Sequence, residues 1–477
     1  MGGARLVAAD QLDVIEQNNN HLLWEYLIKG GGMQHNDRTL FYAVAGLGVM
    51  SLIMALGYGL QYHFAGARLV PYFAVLTAPF LAAVALVSRG FLVAPPATVS
   101  ERLMVAVPWA GYAMMSAALL LTAFFYAHRL PALPLLPIAL AVVAVGALVQ
   151  RRWGARGSTL FYLAAVSALY AVFVAQISHK PGANMLEIIE AAALQFEAGH
   201  NPYRLYESIA PVPFSYLPAL WLPYVLPHAL GWDVRVVSLI CFALIVLIFE
   251  RGLKLGAHGP ALLSVTFYPV LFSPQIAQMI IHGHIWPYWV AVLAAAMLLY
   301  RGKLVAAAVL VGLALAARQS YLFVLLPLTV FVWRQHGFGR MLGYAGLSLA
   351  VYAVIVVPFS VWAGPGFWAQ LYLSYSSATN ALPALEQLNA STYLFAVGAE
   401  RLLLPIQVAL IVAWSWVAWK GAARGAGWFA GVAGLVYIWA VLFNPYVVRY
   451  LYLPGMLLLA MSLAIQLAQA ADKRAHD

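Results

Sequence analysis

Few residues in this chain of 477 can do acid–base or electrostatic chemistry. Only 16 are Asp or Glu, and three of them, Glu187, Glu190 and Glu197, recur at helical spacing. A carboxylate can take or give a proton, and residues three or four apart share one helix face. The same spacing also describes a solvated face, and on spacing alone the two readings stand level. His282 and His284 flank Gly283. Two imidazoles so placed, with no carboxylate near in sequence, are a weak metal signature, and hydrogen bonding is the better reading. Arg318 and Arg449 stand at the ends of apolar runs. A charge there must be paired, reach water or snorkel to lipid headgroups. Tyr203, Tyr206, Tyr216, Trp221 and Trp286 can stack on a ligand, though each taken singly reads as an ordinary interfacial aromatic.

The elements that must position these groups are apolar helices. The chain is 64% hydrophobic and 9% charged, against about 25% charged in soluble domains. Its mean hydropathy is +0.85. The net charge of +10 is spread singly between apolar runs, which is a topology signal rather than a nucleic-acid-binding face. Cys241 is the one cysteine, so there is no internal disulfide and no cysteine-based metal site. The first long apolar run begins near Leu40, too late for a cleaved leader.

Hydropathy predicts an all-α polytopic membrane protein with spans near 40–61, 70–88, 104–127, 132–149, 158–177, 235–250, 259–276, 285–300, 304–317, 319–333, 341–362, 402–419, 427–443 and 450–469. The stretch 213–230 carries Pro213, Pro218, Pro223 and Pro227 and reads as a broken or re-entrant segment. With both termini cytoplasmic, 18 of the 26 Lys and Arg fall on the inside. Two external segments, 178–234 and 363–401, are longer than a connector needs, which points to chemistry on the outer face. The second contains Tyr372, Tyr375, Asn380, Glu386 and Asn389 and is polar enough to form a lid. No clear span carries an acid at its middle, which argues against a proton- or sodium-coupled transporter. Leu186, Ile189, Ala193 and Phe196 make the apolar stripe of an interfacial helix that Gly199 and Pro202 end.

An acidic helix, Gly199-His200-Asn201-Pro202-Tyr203, then Phe214-Ser215-Tyr216-Leu217-Pro218 resembles the GT-C glycosyltransferases that use polyprenyl-phosphate sugars. Within that group it is most similar to glycosyltransferase family 87 and its bacterial mannosyl- and arabinofuranosyltransferase relatives. Ala191-Ala192 matches a pair of small residues. His282-Gly283-His284 before Ile285-Trp286-Pro287 lies where relatives carry Gly-Gln or Gly-Asn. Ala317-Arg318-Gln319-Ser320 with Pro327 matches a later element, where relatives more often have Lys. The resemblance covers about 158–470. It implies a cytoplasmic or interfacial segment at 1–39, a four-helix extension at 40–150, a GT-C-like bundle of about ten helices at 151–470 and a cytoplasmic tail at 471–477. Where many relatives have Asp before the small pair, this chain has Asn184. Asn cannot act as a base, so either Glu187 takes the role one turn later or the chain is inactive.

The resemblance implies an integral transferase of a bacterial inner membrane. It would move a sugar from a lipid phosphate donor to a glycan, lipid or protein acceptor on the periplasmic face, with inversion. Glu187, then Glu190, would be the base. Arg318 and Arg449, with His282, His284 or Lys180, would hold the donor phosphate. His200, Asn201, Tyr203 and Tyr216 would bind substrate. No cofactor or metal is called for, and the bilayer, donor and acceptor are the expected partners, with no nucleic acid. The alternatives are a lipid-diphosphate-using glycan polymerase or ligase, a lipid-linked glycan transporter and a noncatalytic relative. Against a transporter, the halves show no inverted repeat.

Overall fold

In hydrocarbon every backbone N–H and C=O must be satisfied within the chain, and a helix does this segment by segment. The computed structural model describes residues 35–63, 70–92, 101–177, 184–207, 211–376, 389–444 and 449–476, and these are helical almost throughout. The helices are α1 His35–His63, α2 Val70–Leu92, α3 Glu101–Ala127, α4 Leu135–Gln176, α5 Asn184–Glu197, α6 Pro218–Ala229, α7 Val236–Leu247, α8 Gly259–Thr266, α9 Tyr268–Leu271 and α10 Pro274–His282. They continue as α11 Trp286–Tyr300, α12 Leu304–Ala317, α13 Leu322–His336, α14 Phe338–Ala363, α15 Pro365–Ser376, α16 Ser391–Ala396, α17 Leu403–Lys420, α18 Ala426–Leu442 and α19 Leu453–His476.

Five segments are long and apolar enough to cross a membrane: Val105–Ala127, Leu135–Gln176, Phe338–Ala363, Glu400–Lys420 and Tyr450–Asp472. Shorter apolar helices, such as Trp286–Tyr300 and Leu304–Ala317, pack among them. The most apolar stretch of Tyr450–Asp472 is 94% buried and that of Phe338–Ala363 only 11%, so α19 is the centre of the bundle and α14 its rim. On α14, Leu349, Val354, Val357 and Val361 are all more than half exposed. Such an exposed apolar face needs lipid or protein against it.

Gly154, with φ +65°, breaks α4 between two helical stretches beside Arg151, Arg152 and Arg156. The two spans expected at 132–149 and 158–177 are the arms of this kinked helix. The single span expected at 259–276 is instead α8, α9 and α10 in succession, running on to His282. Pro260, Pro269 and Pro274 each begin one of these pieces, because proline fits a first turn and not an interior. The proline-rich stretch 213–230 yields only the 12-residue α6, about 18 Å long and short of a span.

The helices are fastened by close backbone approach. A Cβ added to Gly434 would stand 2.6 Å from the Gly455 carbonyl oxygen, and one on Gly455 would stand 2.8 Å from that of Gly434. This reciprocal pair lets α18 and α19 touch backbone to backbone, as small residues do between membrane helices. The α1–α2 hairpin joins the same pair. Phe80 packs edge-on to Tyr452 at 5.0 Å, Trp439 Nε1 donates to Ser88 Oγ at 3.1 Å, and Trp428 Nε1 donates to the Phe91 carbonyl at 3.2 Å. One hydrophobic core runs from α1 to α19. The boundary drawn at 150/151 falls inside α4, four residues before its kink.

One element has no counterpart in the hydropathy reading. Leu205–Glu207 (β1) and Pro211–Pro213 (β2) pair antiparallel, Tyr206 opposite Val212. Arg235 binds Asp233 and donates to the Ile177 carbonyl at 2.7 Å, so the two ends of the 178–234 segment are tied together.

Candidate functional site

The site is built on a helix that turns sharply. On α5, Leu186, Ile189 and Ala193 are buried as the stripe requires, and Ile188 and Ala192 widen it. Phe196 packs edge-on to Trp221 at 5.4 Å. Glu187 and Glu190 are half-buried on this helix, one turn apart. Asn184 is its first residue. The third carboxylate, Glu197, binds His228 of α6 at 2.9 Å and so fastens one helix to the next.

At the end of α5 the Gly199 N–H donates to the Phe196 carbonyl and the His200 N–H to that of Gln195. This double closure requires a left-handed residue at the turn, and Gly199, at φ +74°, supplies it without a Cβ penalty. Asn201 Oδ1 then accepts from the Tyr203 N–H at 2.8 Å. The Tyr203 hydroxyl donates to the Tyr216 carbonyl at 3.2 Å and accepts from Trp221 Nε1 at 3.3 Å. Tyr206 donates to the Pro202 carbonyl at 2.7 Å. Of the four residues expected to bind substrate, Asn201 and Tyr203 thus have polar atoms engaged in shaping the turn. His200 is exposed. Tyr216 is carried inward, where its ring lies 4.4 Å from that of His284.

His284 is the centre of the arrangement. It is fully buried, and neither ring nitrogen has a hydrogen-bond partner among the described residues. Burial, with the Arg318 charge adding to it, holds the imidazole well below the usual histidine range, so it is neutral. It therefore presents one N–H donor and one acceptor. Gly283 makes the corner possible, since an added Cβ would fall 2.6 Å from the Met279 carbonyl oxygen. Trp286 Nε1 donates to that same oxygen at 2.7 Å and holds the turn from the other side.

Arg318 ends α12 in extended backbone. Its guanidinium lies over the Tyr450 ring at 5.9 Å, and Tyr450 in turn lies 6.4 Å from His284. Next to it, Gln319 Nε2 is buried with no partner among the described residues. Ser320 bonds the Tyr437 hydroxyl at 2.9 Å and reaches that of Tyr288 at 3.5 Å. Arg449 opens the short turn Arg449–Tyr452, which packs against α10. Lys180 lies outside the described residues.

The two histidines diverge. His282 Nε2 accepts from Arg129 at 3.0 Å, and because guanidinium only donates, the proton of that neutral ring sits on Nδ1. Among the described residues no group of three or more His, Cys, Asp or Glu is placed to hold a metal ion.

An apolar groove of about 420 Å³ runs between α6, α7, α11 and α12, and its wall includes Ala317, next to Arg318, and Pro287, three residues after His284. Leu226, Ile240, Val290 and Leu310 also line it. Leu226 and Ile240 are more than half exposed, so the groove opens sideways out of the bundle.

The second long segment meets the first here. Phe367 of α15 packs on Tyr203 at 4.5 Å. Asn389 donates to the Asn444 carbonyl at 2.8 Å and caps the Ser391 N–H, fastening the segment's return to the end of α18. Tyr372 and Tyr375 lie on α15. Asn380 and Glu386 lie outside the described residues.

Of the candidates singled out from the sequence, His284, Arg318 and Tyr216 lie together here. Arg129, Tyr450 and the Tyr288–Ser320–Tyr437 hydroxyls, found beside them, were not among the candidates. A polar residue at the end of an apolar run was the signal for the first group, and Arg129 carried it too. Comparison with protein-family models, curated proteins and solved structures finds no match to this chain.

Proposed function

We propose that this membrane protein is a glycosyltransferase that takes its sugar from a polyprenyl-phosphate donor and has a GT-C-like bundle. The observation that carries the reading is a buried neutral His284 beside Arg318, close in the chain to Pro287 and Ala317 in the wall of a groove of apolar side chains. That pairing suits a ligand with an anionic, hydrogen-bonding head and an apolar tail reaching in from the bilayer. Arg318 supplies charge for the departing phosphate. His284 and Gln319 offer hydrogen bonds to the head or the sugar. In the transfer, the acceptor hydroxyl oxygen forms a bond to the anomeric carbon as the bond to phosphate oxygen breaks. The electron pair leaves on the phosphate, and a carboxylate takes the hydroxyl proton. Glu187 is proposed for that proton, with Glu190 next, since both lie on the helix that feeds the Tyr216 turn.

The site would face the periplasm of a bacterial inner membrane, with both termini cytoplasmic. The acceptor would be a glycan, lipid or protein presented there. A second reading is a ligase or polymerase drawing on a lipid diphosphate. The observation that favours it is a further guanidinium, Arg129, bonded to His282 two residues from His284.

The test is transfer of labelled sugar from defined polyprenyl monophosphates by purified protein, with Glu187→Gln, Glu190→Gln and Arg318→Gln beside the wild type. Glu187→Gln is expected to lower the rate about 100-fold or more while the protein still inserts and folds. If Glu190→Gln alone is dead, the base lies one turn along. If the wild type transfers nothing from any monophosphate but does so from a diphosphate, the ligase reading replaces this one.

A further inference from the structure

A second polar cavity, of about 810 Å³, lies far from His284. Pro108 of α3 is in its wall, whereas Arg129, just past the other end of that helix, bonds His282. Twenty-one residues at helical rise separate the two by roughly 30 Å, the thickness of a hydrocarbon core. The cavity therefore sits at the opposite membrane face from the proposed active site.

Its chemistry is cationic. Arg156 follows the Gly154 kink of α4, and Arg251 and Lys254 follow α7, with His258 beyond them. One acid, Glu250, is in the cavity, and its carboxylate accepts from the Tyr268 hydroxyl at 2.5 Å. Asp472 approaches the rim, 3.9 Å from where a Cβ on Gly256 would sit. The backbone is specialised as well. Residues Ile248–Gly252 form a π turn, and Lys254 has φ +52°, the one positive φ outside glycine among the described residues. Such turns and such strained residues gather at functional sites.

Two further observations point to a ligand and to its kind. Thr159, one turn after Arg156, lines the cavity, is 3% exposed, and its buried hydroxyl has no hydrogen-bond partner among the described residues. Trp153, Leu160 and Leu247 line the same cavity and are more than half exposed. A free anion would gain nothing from that apolar flank, while acyl chains would cover it. We propose that this cavity binds the phosphate headgroup of an anionic lipid from the adjacent leaflet, with Arg251, Lys254 and Arg156 on the phosphate and the acyl chains along Trp153 and Leu160.

The test uses the purified full chain in phosphatidylcholine nanodiscs, with and without phosphatidylglycerol, read by lipid retained in native mass spectrometry and by unfolding temperature. Each cation near a membrane surface is worth about fivefold in binding, so Arg251→Gln with Lys254→Gln is expected to weaken phosphatidylglycerol retention about 25-fold. Thr159→Val, a near-isosteric change, is expected to weaken it less and to leave the protein folded in phosphatidylcholine. Arg334→Gln with Arg340→Gln, which removes equal charge elsewhere, is expected to change little. Equal losses in both double variants, or no loss in Thr159→Val together with none in Arg251→Gln and Lys254→Gln, would overturn the proposal. So would inorganic phosphate stabilising the protein in plain phosphatidylcholine as strongly as the lipid does, since the ligand would then be a soluble anion. No arm reads sugar transfer, so the result stands apart from the proposed activity.

Discussion

At the scale of single residues, the Tyr203 hydroxyl and the His284 ring carry the clearest consequences. The hydroxyl accepts from Trp221 and donates to the Tyr216 carbonyl in a side chain that is 3% exposed. Tyr203→Phe removes both bonds and leaves the buried Trp221 Nε1 without this acceptor, at a cost of about 1–3 kcal/mol before relaxation. A fall in unfolding temperature in detergent checks this, with unchanged thermal stability counting against it. His284 makes a different prediction, through pH. In the folded protein the ring stays neutral, whereas in the unfolded chain it titrates near its ordinary value of 6.5. As pH falls below about 6.5, the unfolded state gains a proton that the folded state refuses, so stability present above that pH is lost, by up to about 1.4 kcal/mol per pH unit. His284→Gln is expected to flatten this acid limb, measured as unfolding temperature from neutral to mildly acidic buffer. An acid limb as steep in His284→Gln as in the wild type would show that other groups set it.

At the scale of elements, the glycines separate close packing from mere helix content. A Cβ added to Gly434 would stand 2.6 Å from the Gly455 carbonyl oxygen, whereas one added to Gly343 of α14 meets nothing within 4 Å. Gly434→Ala is therefore expected to destabilise by about 1–3 kcal/mol or more through forced separation of α18 and α19. Gly343→Ala is expected to stabilise by a few tenths to about 1 kcal/mol, because it removes a flexible residue from an exposed helix. Folded yield by size exclusion and unfolding temperature would show the contrast, and equal effects would refute the packing account. These elements were mostly legible in advance, since a run of apolar residues bounded by Arg or Lys has few structures open to it in a membrane. The arms of α4 were read from such runs. The three-piece α8–α10 was not, because each proline merely restarts the helix without altering the hydropathy. The β1–β2 pair was invisible for another reason: three residues carry no periodicity. The site divides the same way. His284 and Arg318 stood out as polar residues at the ends of apolar runs, while Arg129 reaches His282 across 153 positions of sequence. Tyr288 and Tyr437, inside apolar helices, look like any core aromatic until their hydroxyls are seen to meet at Ser320.

At the scale of the whole molecule, the two polar regions lie at opposite ends of α3, one with Arg129, His282, His284 and Arg318 and the other with Arg156, Arg251 and Lys254. The excess of basic residues beside the second is the positive-inside signal on which we propose that end as the cytoplasmic one. His200, on the turn after α5, and His258, in the second cavity, are both exposed and lie on either side of the proposed membrane. His200→Cys and His258→Cys can therefore be compared directly, because the native Cys241 is buried. A membrane-impermeant thiol reagent is expected to label His200→Cys in cells with an intact inner membrane, and His258→Cys only after that membrane is opened. The reverse pattern would turn the site toward the cytoplasm. Soluble nucleotide sugars are available there, and the case for a donor carried by lipid phosphate would lose its reason, even with the apolar groove intact.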